Sequence, residues 1–171
     1  MHSTFIITFI GDDRPGLVEQ LSAAIESSGG NWHESRLSQL GGKFAGLVLV
    51  SLPEAQAATL EQTLKDLGES GLSVRVTATG ETPPSVGGRA ITLNVLGPDR
   101  PGIVHEIASA LARREINVVE MESQVDSAAM SGEMLFRATI DAQVPADSDL
   151  AELQENLEAI ANQMTLEIDL D

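Results

Sequence analysis

Cysteine and tyrosine are absent from this 171-residue chain, and only one tryptophan and four phenylalanines are present. Without cysteine there is no disulfide, thiolate nucleophile or thiolate metal site, which fits a reducing compartment. The shortage of aromatics leaves the core to Val, Leu, Ile, Met and Ala. It also removes the stacking platforms on which single-stranded nucleic acids are bound. Positive charge is scarce as well: ten Lys and Arg stand against 26 Asp and Glu, a net charge of -16. Such a balance opposes the phosphate neutralisation that drives nucleic-acid affinity, so direct DNA binding is not expected. The deficit is uneven, with five basic and ten acidic groups over residues 1–88 but five and sixteen over 89–171. The second half therefore either meets a basic partner or presents a solvated acidic face. No apolar run approaches the ~20 residues that span a bilayer and no basic-then-apolar leader is visible, so no membrane contact and a cytoplasmic location are expected.

What the chain does have is internal repetition. "GDDRPGLV" at Gly11 to Val18 returns as "GPDRPGIV" at Gly97 to Val104, eighty-six positions later. Each copy follows a short β-rich run, "TFIITFI" from Thr4 and "AITLNVL" from Ala90, that reads as a buried strand ending at glycine. Leu17, Val18, Leu21, Ala24 and Ile25 then fall at helical spacing, as do Ile103, Val104, Ile107, Ala110 and Leu111. "SSGG" is expected to close the first helix, and Arg113 and Arg114 suit the negative end of its counterpart. Second strands are expected from Asn31 and Asn117, and third strands in "GGKFAGLVLVSL" and "SGEMLFRATIDA". Leu60, Leu64 and Leu67 match Leu153, Leu157 and Ile160 in a second helix. Leu72, Val74 and Val76 match Leu166, Ile168 and Leu170 in a last strand. The order β-α-β-β-α-β, written twice, predicts an α+β protein of two ferredoxin-like units, each an antiparallel sheet with both helices on one face. The expected domains are residues 1–79 and 89–171, joined by a Pro- and Gly-bearing linker at 80–88. Each second strand should lie at a sheet edge, and pairing of those edges into one eight-stranded sheet is the preferred arrangement.

The repeated turn offers two readings. Asp13 and Asp99 can accept N–H bonds from the first turn of the following helix, and Pro15 and Pro101 supply the φ of a first helical position. Gly16 and Gly102 let another group approach the backbone. The turn thus either starts a helix and nothing more, or forms a ring of amide donors suited to a carboxylate. His2, His33 and His105 do not correspond between copies and show no metal-ligand spacing; each reads as a surface residue. Nucleophile elbows and Walker loops are missing, and no enzymatic activity, metal or cofactor is expected.

The strand, the DRPG turn and the apolar helix, followed by "GGNWHESR" or "EINVVEME", resemble a tandem ACT-domain protein over nearly the whole chain. The resemblance implies a module that binds a small amino acid where the turn of one domain meets the start of the second strand of its partner. It implies turn donors at Gly11, Asp13, Arg14, Pro15, Gly16 and Leu17, and at Gly97, Asp99, Arg100, Pro101, Gly102 and Ile103. Asn31 and Asn117 would fix the ligand's orientation. Several members of the family carry Asn where this chain has Asp13 and Asp99; an ionised Asp cannot donate to a carboxylate and would serve as cap or ammonium acceptor. A free-standing pair of this length is most similar to the family of glycine cleavage system transcriptional repressors. That implies glycine or serine as ligand and regulation through contact with a protein, such as a DNA-binding transcriptional activator, with homo-oligomers possible. A regulatory subunit of an amino-acid metabolic enzyme and a ligand-free dimerisation module are the alternatives.

Overall fold

Eight strands and four helices follow one another in a computed structural model whose described residues are 1–67, 72–80 and 88–171. Unit one, Met1–Thr82, contains β1 (His2–Asp12), α1 (Leu17–Ser27), β2 (Asn31–Leu40), β3 (Lys43–Pro53), a 3-10 turn at Glu54–Gln56, α2 (Ala57–Asp66) and β4 (Ser73–Ala78). Unit two, Pro83–Asp171, contains β5 (Arg89–Pro98), α3 (Ile103–Ala112), β6 (Asn117–Ser127), β7 (Met134–Val144), α4 (Leu150–Met164) and β8 (Glu167–Leu170). Apart from Gly80 and Gly88, the expected linker at 80–88 lies outside the described residues.

Both sheets are antiparallel, with strand orders β2-β3-β1-β4 and β6-β7-β5-β8. Each unit's ladders form one four-stranded sheet, in which β2 pairs with β3 and β6 with β7. Alternation decides which face is buried. Phe5, Ile7 and Phe9 of β1 join Leu17, Leu21 and Ile25 of α1 and Leu60 and Leu64 of α2 in one core. Ile91, Leu93 and Val95 join Ile103, Ile107, Leu153 and Leu157 in the other. The register makes Phe44 and Phe136 equivalent, each opposite the glycine that closes the central strand. They are ninety-two positions apart, whereas the turns are eighty-six apart, so the extra residues lengthen the β6–β7 hairpin, in its loop and its paired ends.

Helix ends follow from local chemistry. α1 stops where Gly29 takes φ 74° and the Gly30 N–H donates to the Ile25 carbonyl at 2.9 Å. α3 has Glu115 at φ 54° instead, and Arg114 Nη1 donates to the Ala110 carbonyl at 2.9 Å, placing a cation on the helix's negative end. At β4 the Glu61 carboxylate accepts the Val76 N–H at 2.9 Å and Lys65 Nζ at 2.7 Å, which covers part of that sheet edge. The hydrogen bond from Lys65, then that from Val76, lowers the Glu61 pKa. The stabilisation this carries is therefore complete above the ordinary carboxylate pKa and disappears as pH falls through the lower folded-state value. Glu61→Gln is expected to flatten the loss of thermal stability between about pH 5 and pH 3, measured against the unsubstituted chain.

Candidate functional site

The two DRPG turns lie at corresponding ends of the two sheets, and neither aspartate caps its helix. The N-cap residues are Gly16, at φ 85°, and Gly102, at φ 95°, with no side-chain cap on either. Those left-handed conformations favour glycine. The expected placement of Pro15 and Pro101 at the first helical position shifts accordingly: the helices begin at Leu17 and Ile103, two residues later. A capping aspartate does occur at Asp149, whose carboxylate accepts from the Ala151 and Glu152 amides at 2.9 and 3.3 Å. Only there does the carboxylate sit directly before the helix. In α1 the first intrahelical bond runs from the Gln20 N–H to the Gly16 carbonyl at 3.0 Å, and in α3 from Glu106 to Gly102 at 3.0 Å. The preceding amides, Leu17 to Glu19 and Ile103 to His105, keep the orphan status of any uncapped helix start.

Other residues named from the sequence fall into distinct places. Gly11 and Gly97 are buried within β1 and β5, close against Leu72 and Leu166, so they act in packing. Leu17 and Ile103 point into the cores and offer only their backbone. Pro15, Pro101, Asp13, Asp99 and Arg100 are exposed. Arg14 is half-buried, its guanidinium donating to Gln20 Oε1 at 2.6 Å rather than pointing freely into solvent. Trp32 packs against the first core, and His2, His33 and His105 are exposed.

Asn31 and Asn117 open β2 and β6, exposed, opposite Ser51 and Gln143. They are not near the turns of their own units. Between Ser51, which marks the Asn31 end of β3, and Lys43, which marks the turn end, lie eight positions; at strand rise this is about 27 Å. Gln143 and Leu135 are separated by the same eight positions in β7. No side chain bridges that span, so the turn and the asparagine of one unit cannot both contact one small ligand.

Models of the ACT domain match residues 3–77 and, again, residues 91–161. The chain belongs to the ACT-domain family. The glycine cleavage system transcriptional repressors of Escherichia coli (strain K12) and Shigella flexneri are each 26% identical over 160 residues, covering 93% of this chain and 84% of theirs. A crystal structure of an unknown protein from Galdieria sulphuraria superposes with TM-score 0.88 at 29% identity, over 100% of this chain and 98% of its own. A second crystal structure, of a protein provisionally named a glycine cleavage system transcriptional repressor, gives TM-score 0.68 at 24% identity over 100% and 97%, which is a likeness of fold.

The two ACT turns are chemically unequal. In the first ACT unit Asp12 pairs with Lys43, and this hydrogen bond and charge hold the Asp12 carboxyl below its usual range. Asp13 accepts from Gln39 Nε2 at 2.9 Å, and its N–H donates to the Gly42 carbonyl at 3.3 Å. In the second, Pro98 faces Leu135 across the ladder, and Val125 occupies the register position of Gln39. The Asp99 N–H donates to the Met134 carbonyl at 2.8 Å. Among the described residues, the Asp99 and Arg100 side chains have no hydrogen-bond partner. Gln39 was not singled out from the sequence. Its signal is the "GG" at 41–42, whose tight hairpin fixes which β2 residue stands beside the turn. Among the described residues no three His, Asp or Glu side chains cluster to hold a metal, and no helix is long and apolar enough to cross a membrane.

Proposed function

We propose that this ACT protein is an amino-acid-responsive regulator, similar in role to the glycine cleavage system transcriptional repressor, acting by contact with a protein partner rather than on DNA. The observation that carries the reading is the separation of uncapped turn and asparagine by about 27 Å within each unit. Each unit holds two half-sites, and a bound ligand would tie units together. The ligand's carboxylate meets the first-turn amides of α1 or α3, and its ammonium meets the asparagine carbonyl or Asp99. Glycine and serine are the proposed ligands, since their small side chains leave both charged ends free. A ligand that prefers one arrangement of units changes the affinity for a partner by the same differential free energy. The net charge of -16 supports indirect action, because it disfavours a phosphate backbone. No catalytic step enters this role.

Calorimetry of the full chain with glycine and with serine tests the reading; absence of heat and of thermal stabilisation at millimolar ligand overturns it. Asn31→Ala with Asn117→Ala is expected to weaken binding about tenfold or more, the loss of one or two charge-assisted hydrogen bonds, while the circular dichroism spectrum stays unchanged. Arg100→Ala should lose more affinity than Arg14→Ala, because Arg14 is already engaged by Gln20.

A further inference from the structure

The asparagine ends of β2 and β6 share a backbone pattern and differ in chemistry. Each strand has a register shift just after its asparagine, between Trp32 and Glu34 in one unit and between Val118 and Glu120 in the other. The bulged residues are therefore His33 and Val119. A bulge re-aims the side chain it carries. In the first unit this brings His33 Nε2 to 2.8 Å from Ser51 Oγ. Ser51 is the ladder partner of Asn31, so the two side chains leave the sheet on one face with Cβ atoms about 5 Å apart. That face is the one away from the helices, since Val50 and Leu52, on either side of Ser51, belong to the core. In the second unit Val119 is 63% exposed and Gln143 takes the place of Ser51, so the bulge there presents an apolar side chain. Asn31, His33 and Ser51 all belong to the first unit, and their contacts are the same whichever unit supplies the turn.

We propose that the His33–Ser51 pair selects the side chain of the ligand at the Asn31 half-site and favours an amino acid that carries a hydroxyl, serine over glycine. The proposal rests on the amino-acid reading above and adds to it which ligand one half-site prefers. An amino acid's ammonium and its side chain branch from the same carbon. A ligand whose ammonium meets Asn31 therefore carries its side chain within reach of a residue about 5 Å away on the same face. The imidazole fixes the direction of the Ser51 hydroxyl. Where Nε2–H donates to Ser51 Oγ, the hydroxyl proton is left to donate; where the hydroxyl donates to Nε2, its lone pairs are left to accept. A ligand hydroxyl both donates and accepts, so it is met in either tautomer. Glycine makes no such bond, and the methyl group of alanine occupies the same space while leaving the Ser51 hydroxyl unpaired. Val119 and Gln143 provide no matching pair beside Asn117, so the two asparagine half-sites differ in the side chain they prefer.

Calorimetry of the full chain carrying Asn117→Ala, which leaves Asn31 as the intact asparagine, compares serine, alanine and glycine. Serine is expected to bind about threefold or more tighter than either of the others, the effect of one hydrogen bond at an exposed site. His33→Ala and Ser51→Ala should each bring that ratio close to one, while Ser51→Thr, which keeps the hydroxyl, should retain it. Glycine affinity in the same variants reads whether the half-site itself is intact, which a merely structural role of the pair would change without changing the ratio. In the other unit, Val119→His with Gln143→Ser, placed in a chain carrying Asn31→Ala, should raise the preference for serine. A serine-to-glycine ratio unmoved by His33→Ala and Ser51→Ala overturns the proposal and leaves the amino-acid reading standing. Binding lost outright with Asn117→Ala alone also overturns it, since the Asn31 half-site would then take no ligand. Absence of heat with all three amino acids in the unsubstituted chain overturns both.

Discussion

Gly97→Ala is expected to destabilise the second unit by about 2–3 kcal/mol, whereas Gly11→Ala at the matching position costs under about 1 kcal/mol. A Cβ on Gly97 would lie 2.6 Å from Leu166 Cδ2, 2.8 Å from the Thr165 carbonyl oxygen and 3.1 Å from the Leu166 Cα. Two of those three atoms are backbone, held by the end of α4, where Thr165 takes φ 59° and the Leu166 N–H donates to Ala161 at 2.8 Å. They cannot withdraw without shifting the entry to β8. A Cβ on Gly11 would meet Leu72 Cδ1 at 2.8 Å and then nothing nearer than 3.8 Å. A side-chain tip can rotate away, at the cost of a strained rotamer. Urea unfolding of the two single variants measures the difference, and equal costs would mean that the backbone contact yields.

Leu157→Ala carries the larger effect. Leu157 is 1% exposed in the second core, among Leu93, Ile107, Leu153 and Ile160. Truncation there removes about 2–5 kcal/mol, the lost transfer of the side chain plus the cavity left behind. In a unit of this size that is a large fraction of the whole stability, and lowers its melting temperature by roughly 10–20 °C or more. The first core shares no residue with the second. Amides in β1 and β3 should therefore keep their hydrogen-exchange protection while those in β5 and β7 lose it. Uniform loss in both units would show that they unfold as one.

Much of this architecture was legible because it rests on local pattern repeated. Alternating Phe5, Ile7 and Phe9, and Ile91, Leu93 and Val95, announce strands; the stripes from Leu17 and Ile103 announce helices. Element order then leaves few topologies. Less legible was the chemistry of the turn. Asp13 and Asp99 look like caps, since Asp is a good cap wherever it directly precedes a helix, yet three residues, the last a left-handed glycine, stand between. Strand ladders, set by hairpin length and side-chain alternation over the whole sheet, bring Gln39 to Asp13 and Lys43 to Asp12 in one unit, and Val125 and Leu135 to the same places in the other.

The sequence by itself determined that two units of one kind exist, which faces they bury, that the chain is strongly acidic, and that each glycine-bearing turn precedes a helix. These are properties of spacing and composition, which short segments express without long-range information. Only the tertiary structure decided that turn and asparagine stand at opposite ends of a strand and that the two turns differ in their neighbours. Those facts depend on which distant residues share a ladder or a helix face, and that is fixed when the sheet closes around its core.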